Sequence, residues 1–283
     1  MDSISLRVMR TDDIPDGLRL CRASGWNQLA ADWERFLGSN ADGCRVALDD
    51  AGKVIGSVAT LRFEDTLAWI AMVLVDPAHR RAGIGTRLLH EALRLVDDLP
   101  AVGLDATPAG LHVYEPAGFR EECRLQRMER AGSPFPFTPP DGSVRLMEQS
   151  DLDAVFEWDA QVFGADRRAL LESFRAQAPT YAWIAGRSRI AGYAFGRPGY
   201  LFEHIGPIVA RDEDTARRLV SGCLAAHPNR PFIVDVSVRR SWVQWLESQQ
   251  FVLQRPFIRM YRDKRKYRDR PAEMFAIAGP EFA

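Results

Sequence analysis

The chain has 283 residues, which is enough for one large domain or for two of ordinary size. Its 37 basic and 38 acidic side chains nearly cancel, and the net charge of −1 points to neither a nucleic-acid nor an anionic-membrane partner. The four cysteines and five histidines are not spaced as metal ligands, so the composition predicts no metal site.

The beginning of the sequence, MDSISLRVMRTDDIPDG, lacks the basic and apolar regions of a secretory signal. No apolar run approaches the roughly 20 residues that span a bilayer. The cysteines are scattered, without C-x-x-C pairs, as is typical of cytosolic thiols. We therefore expect a cytoplasmic protein without a membrane partner.

Strand-like and helix-like patterns alternate through the first 130 residues. Short turns join the early strands, whereas helices separate the later ones, which predicts an α/β fold (α+β, with a mixed sheet) flanked by helices. In chain order the predicted elements are strand 6–9, helices 13–24 and 29–39, strands 45–48, 54–63 and 67–75, helix 83–96, strand 102–105, helix 110–117 and strand 120–130.

The second half of the chain repeats the first. VRLMEQSDLDAVFEW (144–158) mirrors LRVMRTDDIPDGLRL (6–20), and RIAGYAF (189–195) mirrors KVIGSVA (53–59). A segment rich in proline, glycine and serine separates the copies, and each copy is long enough to form its own core. We predict two tandem domains, at residues 1–131 and 143–283, joined by a linker at 132–142.

The stretch RRAGIG, at residues 80–85, follows a strand that ends at Val75 and opens a predicted helix. The N-terminal amides of such a helix form an anion site. Gly83 and Gly85 would let a ligand approach the backbone closely, and Arg80 and Arg81 add positive charge beside it. The pattern suits a pyrophosphate.

Two common phosphate motifs fit this stretch poorly. A P-loop needs Gly-Lys-Ser/Thr, whereas the sequence reads Gly85-Thr86-Arg87. A dinucleotide-binding fold would place a third glycine where Leu88 stands, although Asp105 lies at about the distance of the acid that such folds use for the ribose.

With VLVDP before it and GLDATPAGLHVYEPAGF after it, the stretch resembles the GNAT superfamily of N-acetyltransferases. Arg80, Gly83 and Gly85 match the family motif Gln/Arg-x-x-Gly-x-Gly/Ala. The resemblance implies that acetyl-CoA is the co-substrate, with its pantetheine arm lying along the preceding strand like an extra strand, and that Tyr114 is the acid that reprotonates the thiolate. The cofactor-binding residues that it implies are Met72, Val73, Leu74, Val75, Arg80, Arg81, Ala82, Gly83, Ile84, Gly85 and Thr86.

The acceptor site and the general base are less well marked. Family members tend to shape the acceptor site from the connection between the early helices, and five residues are candidates for its walls: Trp26, Asn27, Gln28, Trp69 and Asp105. The candidates for the base are Glu64, Asp65, Asp105 and His112, and a water-borne proton path would leave no sequence signal at all.

The second copy lacks the features that mark the site in the first. At the matching place it reads HIGPIVARDEDTARRLV (204–220), without the glycine pair, and Asp212, Glu213 and Asp214 lie where a pyrophosphate would bind. Leu246 stands opposite Tyr114. We therefore expect a single acetyl-CoA site, in the first domain, and a degenerate second domain. The second domain would close the acceptor pocket, with Phe163, Arg167, Tyr193 and Arg197 as its wall residues. The arrangement resembles bacterial tandem GNAT proteins.

Three functions are compatible with the sequence. The first is transfer of an acetyl group to a primary amine of a small molecule or an amino terminus, within a ternary complex. The second is a non-catalytic acyl-CoA sensor. The third is nucleic-acid binding through DKRKYRDR at residues 263–270, for which the balanced total charge gives little support.

Overall fold

A computed structural model describes residues 4–132, 142–186, 189–263 and 269–283. The chain divides into two compact units, and their described residues are 4–122, 260–263 and 282 for unit 1 and 123–132, 142–186, 189–259, 269–281 and 283 for unit 2. Most of the predicted linker and the centre of the basic stretch lie outside the described residues, so both stay predictions, as do the predicted domain limits.

Unit 1 is a mixed sheet covered by helices. Its strands follow the order β1-β2-β3-β4-β5, with the end of β12 beside β5, and β4 and β5 form the parallel pair. The elements are β1 Ser5–Val8, α1 Ile14–Ala23, α2 Ala30–Asn40, β2 Arg45–Leu48, β3 Val54–Phe63, β4 Leu67–Val75, α3 Ile84–Leu95, β5 Ala101–Ala106 and α4 Leu111–Tyr114.

Helix α3 packs against β3 and β4 because its apolar residues fall on one face. Leu88, Leu89 and Ala92 are fully buried there. The contact is close at Gly56 on β3, where a Cβ atom would lie 3.0 Å from the Leu88 side chain and 3.0 Å from the carbonyl oxygen of Leu74. Glycine at this place lets the first turns of α3 lie directly on β3.

Unit 2 is also a mixed sheet covered by helices, and it includes a short strand, β13, outside the main strand order. Its order is β12-β6-β11-β10-β9-β8-β7, and β13 pairs with β10. The elements are β6 Arg120–Arg130, β7 Val144–Leu146, α5 Leu152–Phe163, α6 Arg168–Gln177, β8 Trp183–Ala185, β9 Gly192–Arg197, β10 Glu203–Ala210, α7 Glu213–Ala226, β11 Phe232–Ser237, α8 Arg240–Ser248, β12 Val252–Asp263 and β13 Met274–Ala276.

The repeat seen in the sequence recurs as matching contacts. Arg7 forms a two-pronged ion pair with Asp13, and Arg145 forms the same pair with Asp151 six residues later. Gly192 occupies the place of Gly56, since its Cβ would lie 3.0 Å from the Leu219 side chain of α7.

Each unit contains part of a strand that comes from the other half of the chain. The predicted strand 120–130 is β6, and from Cys123 onward its residues belong to unit 2, where it pairs antiparallel with β11 from Leu125↔Ser237 to Arg130↔Phe232. Unit 1 receives residues 260–263 of β12 instead, and Tyr261 lies edge-on to Trp69 there. Each compact unit is therefore built from both halves of the chain.

Candidate active site

Strands β4 and β5 pair over only three residues. Their parallel register runs from Leu67↔Ala101 to Trp69↔Gly103, whereas β4 continues to Val75. On its other side β4 stays paired with β3 as far as Val75↔Gly56. The last six residues of β4 therefore have one paired edge and one edge to which no described strand is paired.

A bulge interrupts β4 inside this region. Met72 and Val73 together stand opposite the single residue Val58, and Met72 has a φ of 55°. The hydroxyl of Ser57 on β3 is buried and donates a hydrogen bond to the carbonyl oxygen of Met72, at 2.9 Å. This contact fixes the direction of the backbone at the bulge.

The backbone groups that line the open edge can be assigned from the strand's alternation. The N–H of Asp76 donates to the carbonyl of Ile55 on β3, at 2.8 Å. Because successive residues of a strand direct their backbone groups to opposite edges, Val75 and Val73 present theirs to the open edge. The Nε of Arg80 donates to the carbonyl of Val75, at 3.2 Å, consistent with this assignment.

The turn after β4 leads to a helix terminus without a side-chain cap. Arg81 and Gly83 have left-handed backbone, with φ values of 66° and 75°. Gly83 is the N-cap of α3, and the first bond of the helix runs from the amide of Arg87 to the carbonyl of Gly83. The amides of Ile84, Gly85 and Thr86 therefore have no partner within the helix and can bind an anion.

Room for a ligand is present at both glycines. No atom lies within 4 Å of a Cβ built on Gly83, and the nearest atom to one built on Gly85 belongs to Val75, at 3.7 Å. Residues 80–83 are exposed, so the arginines of this turn bring positive charge to a solvent-accessible place. The predicted cofactor-binding residues thus lie on the end of β4, in the turn that follows it and in the first turn of α3.

Tyr114 ends the short helix α4 and is partly exposed. Its ring lies edge-on to Phe119 and against Gly110, where an added Cβ would come within 2.8 Å of the ring. Burial raises the pKa of the Tyr114 hydroxyl to about 12, so the phenol stays protonated near neutral pH. In the described part of the chain no hydrogen bond partner of this hydroxyl is found.

An open cleft runs between α3 and the turn that follows Tyr114. Its lining residues are His90, Leu93 and Arg94 of α3, Asp97 just after that helix, and Pro116, Ala117 and Arg262. Sequence reasoning missed this cleft because Arg262 reaches unit 1 only through the exchanged strand.

The acceptor candidates lie on three parts of unit 1: the connection between α1 and α2, strand β4 and strand β5. Trp69 is fully buried, and a Cβ on Gly103 would come within 2.3 Å of its ring, so it is a core residue. Trp26, Asn27 and Asp105 are partly exposed. Gln28 is buried, and its Oε1 lacks a hydrogen bond partner among the described residues.

The candidate bases lie on different elements of unit 1. Glu64 and Asp65 are exposed in the turn between β3 and β4, at the opposite end of β4 from Val75. At about 3.3 Å per residue, this places them roughly 15 Å or more along the strand from the bulge. His112 is exposed on α4. We therefore assign the role of general base to none of these residues.

Ser57 allows a test of the bulge. Ser57→Ala leaves the carbonyl of Met72 without its donor, so we expect a loss of about 1 kcal/mol in the free energy of unfolding and a several-fold increase in KM for the co-substrate that the sequence predicts, acetyl-CoA. Thr60→Val is the matched control, because it removes another buried hydroxyl on β3, which donates to Gly43 at 3.2 Å. The control should cost similar stability without changing KM, and equal effects of both variants on KM would contradict this role for Ser57.

In unit 2, a carboxylate of the chain itself binds the N-terminus of α7, the helix that matches α3. Only two residues separate β10 from α7, and the N-cap of α7 is Asp212, whose carboxylate accepts a hydrogen bond from the amide of Thr215 at 2.7 Å. Leu246, the counterpart of Tyr114, is fully buried. The side chain of Asp212 therefore takes the place that a phosphate would need.

The four residues predicted to wall an acceptor pocket are buried within unit 2. Arg167 forms a two-pronged ion pair with Asp159, at 2.9 Å, and lies over the ring of Phe163. The Tyr193 hydroxyl donates to the same carboxylate, at 2.5 Å. Arg197 belongs to a second buried network.

This second network surrounds His204. Nη1 of Arg197 donates to Nδ1 of the imidazole, at 2.8 Å, and Nε2–H donates to Asp235, at 2.9 Å. Because arginine can only donate, the imidazole must be neutral with its proton on Nε2. Arg127 forms a two-pronged ion pair with Asp235, at 2.8 Å, and Glu281 pairs with Arg197.

The network makes stability depend on pH. Burial and the charge of Arg197 lower the pKa of His204, although Asp235 and Glu281 favour its charged form. Burial would raise the pKa of Asp235 and of Glu281, but the nearby guanidinium groups outweigh it and lower both. All three groups bind protons more readily when unfolded, so stability is present above their unfolded pKa values and is lost as pH falls.

The free energy of unfolding should therefore begin to fall below about pH 6.5, the ordinary pKa of histidine. Denaturant titrations of the intact chain between about pH 5 and pH 8 test this expectation. His204→Gln can keep both hydrogen bonds without titrating, and it should flatten the dependence between about pH 6.5 and pH 5. An unchanged slope in this variant would assign the effect to other groups.

Comparisons with known proteins agree with the repeat. The protein-family model for the acetyltransferase (GNAT) family matches residues 14–119, and the one for an acetyltransferase (GNAT) domain matches residues 155–276. The uncharacterized N-acetyltransferase YitH of Bacillus subtilis is 27% identical over 229 residues, with 77% of each chain covered. Holothin acyltransferase of a Pseudoalteromonas species is 25% identical over 210 residues, covering 73% of this chain and 69% of that one.

Solved structures share the fold over nearly the whole chain. A protein from Pyrococcus horikoshii, provisionally assigned as an acetyltransferase, has a TM-score of 0.83 at 21% identity and covers 99% of this chain and 96% of its own. A tandem GNAT protein from the clavulanic acid biosynthesis pathway has a TM-score of 0.65 at 12% identity, covering 93% and 99%. The predicted mixed α/β fold with two tandem GNAT-like domains is confirmed.

The described residues contain neither a membrane-spanning helix nor a metal-binding cluster. None of the helices in those ranges is both long and apolar enough to cross a membrane. No group of histidine, cysteine, aspartate or glutamate residues within them is arranged to hold a metal ion.

Proposed function

Because the chain is an acyltransferase of the GNAT family with two GNAT domains in tandem, we propose that unit 1 is its catalytic unit and transfers an acetyl group from acetyl-CoA to a primary amine. The observation that carries this proposal is the open edge of β4 at Val73 and Val75, which leads directly to the uncapped N-terminus of α3. An extended polar chain that ends in a pyrophosphate matches both features at once.

The backbone of β4 would bind the pantetheine arm. Val73 offers an N–H and a carbonyl to the open edge, and Val75 offers an N–H beside a carbonyl that already accepts a hydrogen bond from Arg80, so an amide-containing chain can pair with them as an added strand. The amides of residues 84–86 would hold the pyrophosphate, with Arg80 and Arg81 beside it. An N–H at the bulge is also suited to stabilise the negative charge that develops on the thioester oxygen.

Tyr114 would complete the transfer by donating a proton. The amine, once neutral, attacks the thioester carbon, a C–N bond forms and the C–S bond breaks. The Tyr114 hydroxyl gives its proton to the departing sulfur, and the proton lost by the amine returns to the phenolate through water. A phenol with a pKa of about 12 stays protonated until this step, when a thiolate appears beside it.

The acyl donor and the acceptor both require a direct screen. We propose a small-molecule amine or an amino terminus as the acceptor. One relative has a name that refers to acetyl transfer and another a name that refers to acyl transfer. The donor panel should therefore include longer acyl-CoAs as well as acetyl-CoA.

A thiol-release assay on the intact chain, with an amine panel and several acyl-CoAs, tests the proposal. We expect CoA release that depends on one class of amine and is strongly reduced by Tyr114→Phe. Acyl-CoA binding without turnover on any amine, unchanged by Tyr114→Phe, would contradict catalysis and favour the sensor.

A further inference from the structure

The cleft of unit 2 that corresponds to the open edge of β4 contains a strand of its own. As in unit 1, the parallel pairing is short, and β10 and β11 are joined only from Glu203↔Phe232 to Ile205↔Val234. Beyond that point β13 pairs with β10 antiparallel, at Ile208↔Ala276 and Val209↔Met274. The amide of Ala210 also donates to the carbonyl of Glu273, at 3.0 Å.

Hydrogen bonds show that these positions are equivalent to the open edge in unit 1. After β4 the amide of Asp76 donates to Ile55, one residue before Gly56, and after β10 the amide of Arg211 donates to Ala191, one residue before Gly192. Counting back from these bonds, Ala210 corresponds to Val75 and Ile208 corresponds to Val73. The backbone edge that is open in unit 1 is thus paired in unit 2.

The inserted strand also reaches the other wall of the cleft. The amide of Ile277 donates to the carbonyl of Asp235 on β11, at 3.0 Å. Phe275 and Ile277 are buried, and the indole N–H of Trp242 donates to the carbonyl of Phe275, at 3.1 Å. Residues 273–281, here called the closing segment, therefore bridge the two strands that diverge.

Charge anchors the end of the closing segment. Arg197 donates to the carbonyl of Ala278, at 2.6 Å, and pairs with the carboxylate of Glu281. Both side chains are buried, at 4% and 5% exposed. Taking His204 as neutral, two guanidinium groups, Arg197 and Arg127, balance two carboxylates, Asp235 and Glu281.

We propose that the closing segment is the permanent occupant of the unit 2 cleft, standing where unit 1 would take the pantetheine arm, so that the chain has one acyl-CoA site and closes the other with its own sequence. The inference rests on the proposed function only in naming the ligand that the segment replaces. The acidic turn at Asp212 is then a second obstacle to acyl-CoA binding in unit 2, and the closing segment is the main one.

A cross-link tests whether the closing segment must leave. Ile208 and Ala276 are directly paired across the two strands, so the double variant Ile208→Cys with Ala276→Cys can form a disulfide. We expect the oxidised protein to keep its acetyl-CoA affinity and turnover within about twofold of the same protein after reduction. Activity that is lost on oxidation and restored by reductant would overturn the proposal, because it would show that the cleft has to open.

Amide hydrogen exchange on the unmodified chain tests occupancy. The amides of Ala210 and of Ile277 should exchange slowly, at the same rate with and without saturating acetyl-CoA. Peptides that cover residues 73–75 or 84–86 should instead exchange more slowly when acetyl-CoA is added. Faster exchange at Ala210 and Ile277 on adding acetyl-CoA, or fast exchange without it, would overturn the inference. Absence of any response in unit 1 would instead contradict the proposed function, so the two failures are distinguishable.

A charge variant tests whether Glu281 anchors the closing segment. Glu281→Gln removes one partner of the buried ion pair, and we expect exchange at Ile277 to rise by about a hundredfold. Glu213→Gln is the matched control, because Glu213 pairs with Arg217 on the partly exposed surface of α7. An Ile277 exchange rate that is the same in both variants would show that Glu281 does not anchor the segment.

Discussion

Tyr114→Phe should lower kcat by about a hundredfold and leave the KM for acetyl-CoA nearly unchanged. The variant keeps the ring that packs edge-on to Phe119, so the local structure is preserved while the proton donor is lost. Because the pKa of this hydroxyl is about 12, wild-type kcat should not decline through loss of its proton between about pH 7 and pH 10.

Steady-state kinetics of the variant, with saturating amine, measure this effect. Tyr200→Phe is a suitable control, since Tyr200 is 54% exposed and belongs to unit 2. Turnover of Tyr114→Phe that matches the control would remove Tyr114 from the mechanism and require another source for the proton on sulfur.

Gly83→Val should weaken acetyl-CoA binding by about tenfold or more. Gly83 has a φ of 75°, which a β-branched side chain tolerates poorly, at a cost of about 1–3 kcal/mol. The backbone would have to turn at the N-cap of α3, and the amides of residues 84–86 would no longer converge on one anion. Titration calorimetry with acetyl-CoA measures the change in Kd.

Gly52→Val separates strain from binding. Gly52 has a φ of 78°, and no atom lies within 4 Å of a Cβ built on it, as at Gly83. It belongs to the turn between β2 and β3, so the variant should cost similar stability without weakening acetyl-CoA binding. Equal losses of affinity in both variants would show that the effect is general destabilisation.

Local patterns in the sequence were enough to predict most elements of unit 1. The pattern of β4 and α3 is explicit, since an apolar strand, a glycine turn and an amphipathic helix follow one another, and the structure places all three as expected. The helix predicted at 110–117 is α-helical only from Leu111 to Tyr114. Pro108 and Pro116 fall in the tighter turns on either side of it.

The exchange of β6 and β12 could not be predicted from periodicity. Both strands end a repeat and carry the same kind of pattern, so either could complete either sheet. Only contacts between distant residues decide the pairing, such as the Arg127 ion pair with Asp235 and the contact of Tyr261 with Trp69.

The closing segment was missed for a related reason. β13 has only three residues, and it follows a basic stretch that suggested a tail. The residues that anchor it are spread from Arg197 to Glu281, and nothing in their spacing connects them. Ser57 was missed as well, although one polar residue inside the apolar strand KVIGSVA is a signal that its hydroxyl has a specific partner.

The most direct test of the account is a crystal structure of the intact chain with coenzyme A. We predict one molecule per chain, with the pantetheine arm hydrogen-bonded to Val73 and Val75 and the pyrophosphate at the amides of residues 84–86. Coenzyme A between β10 and β11 with the closing segment displaced, or no coenzyme A along β4, would contradict the account.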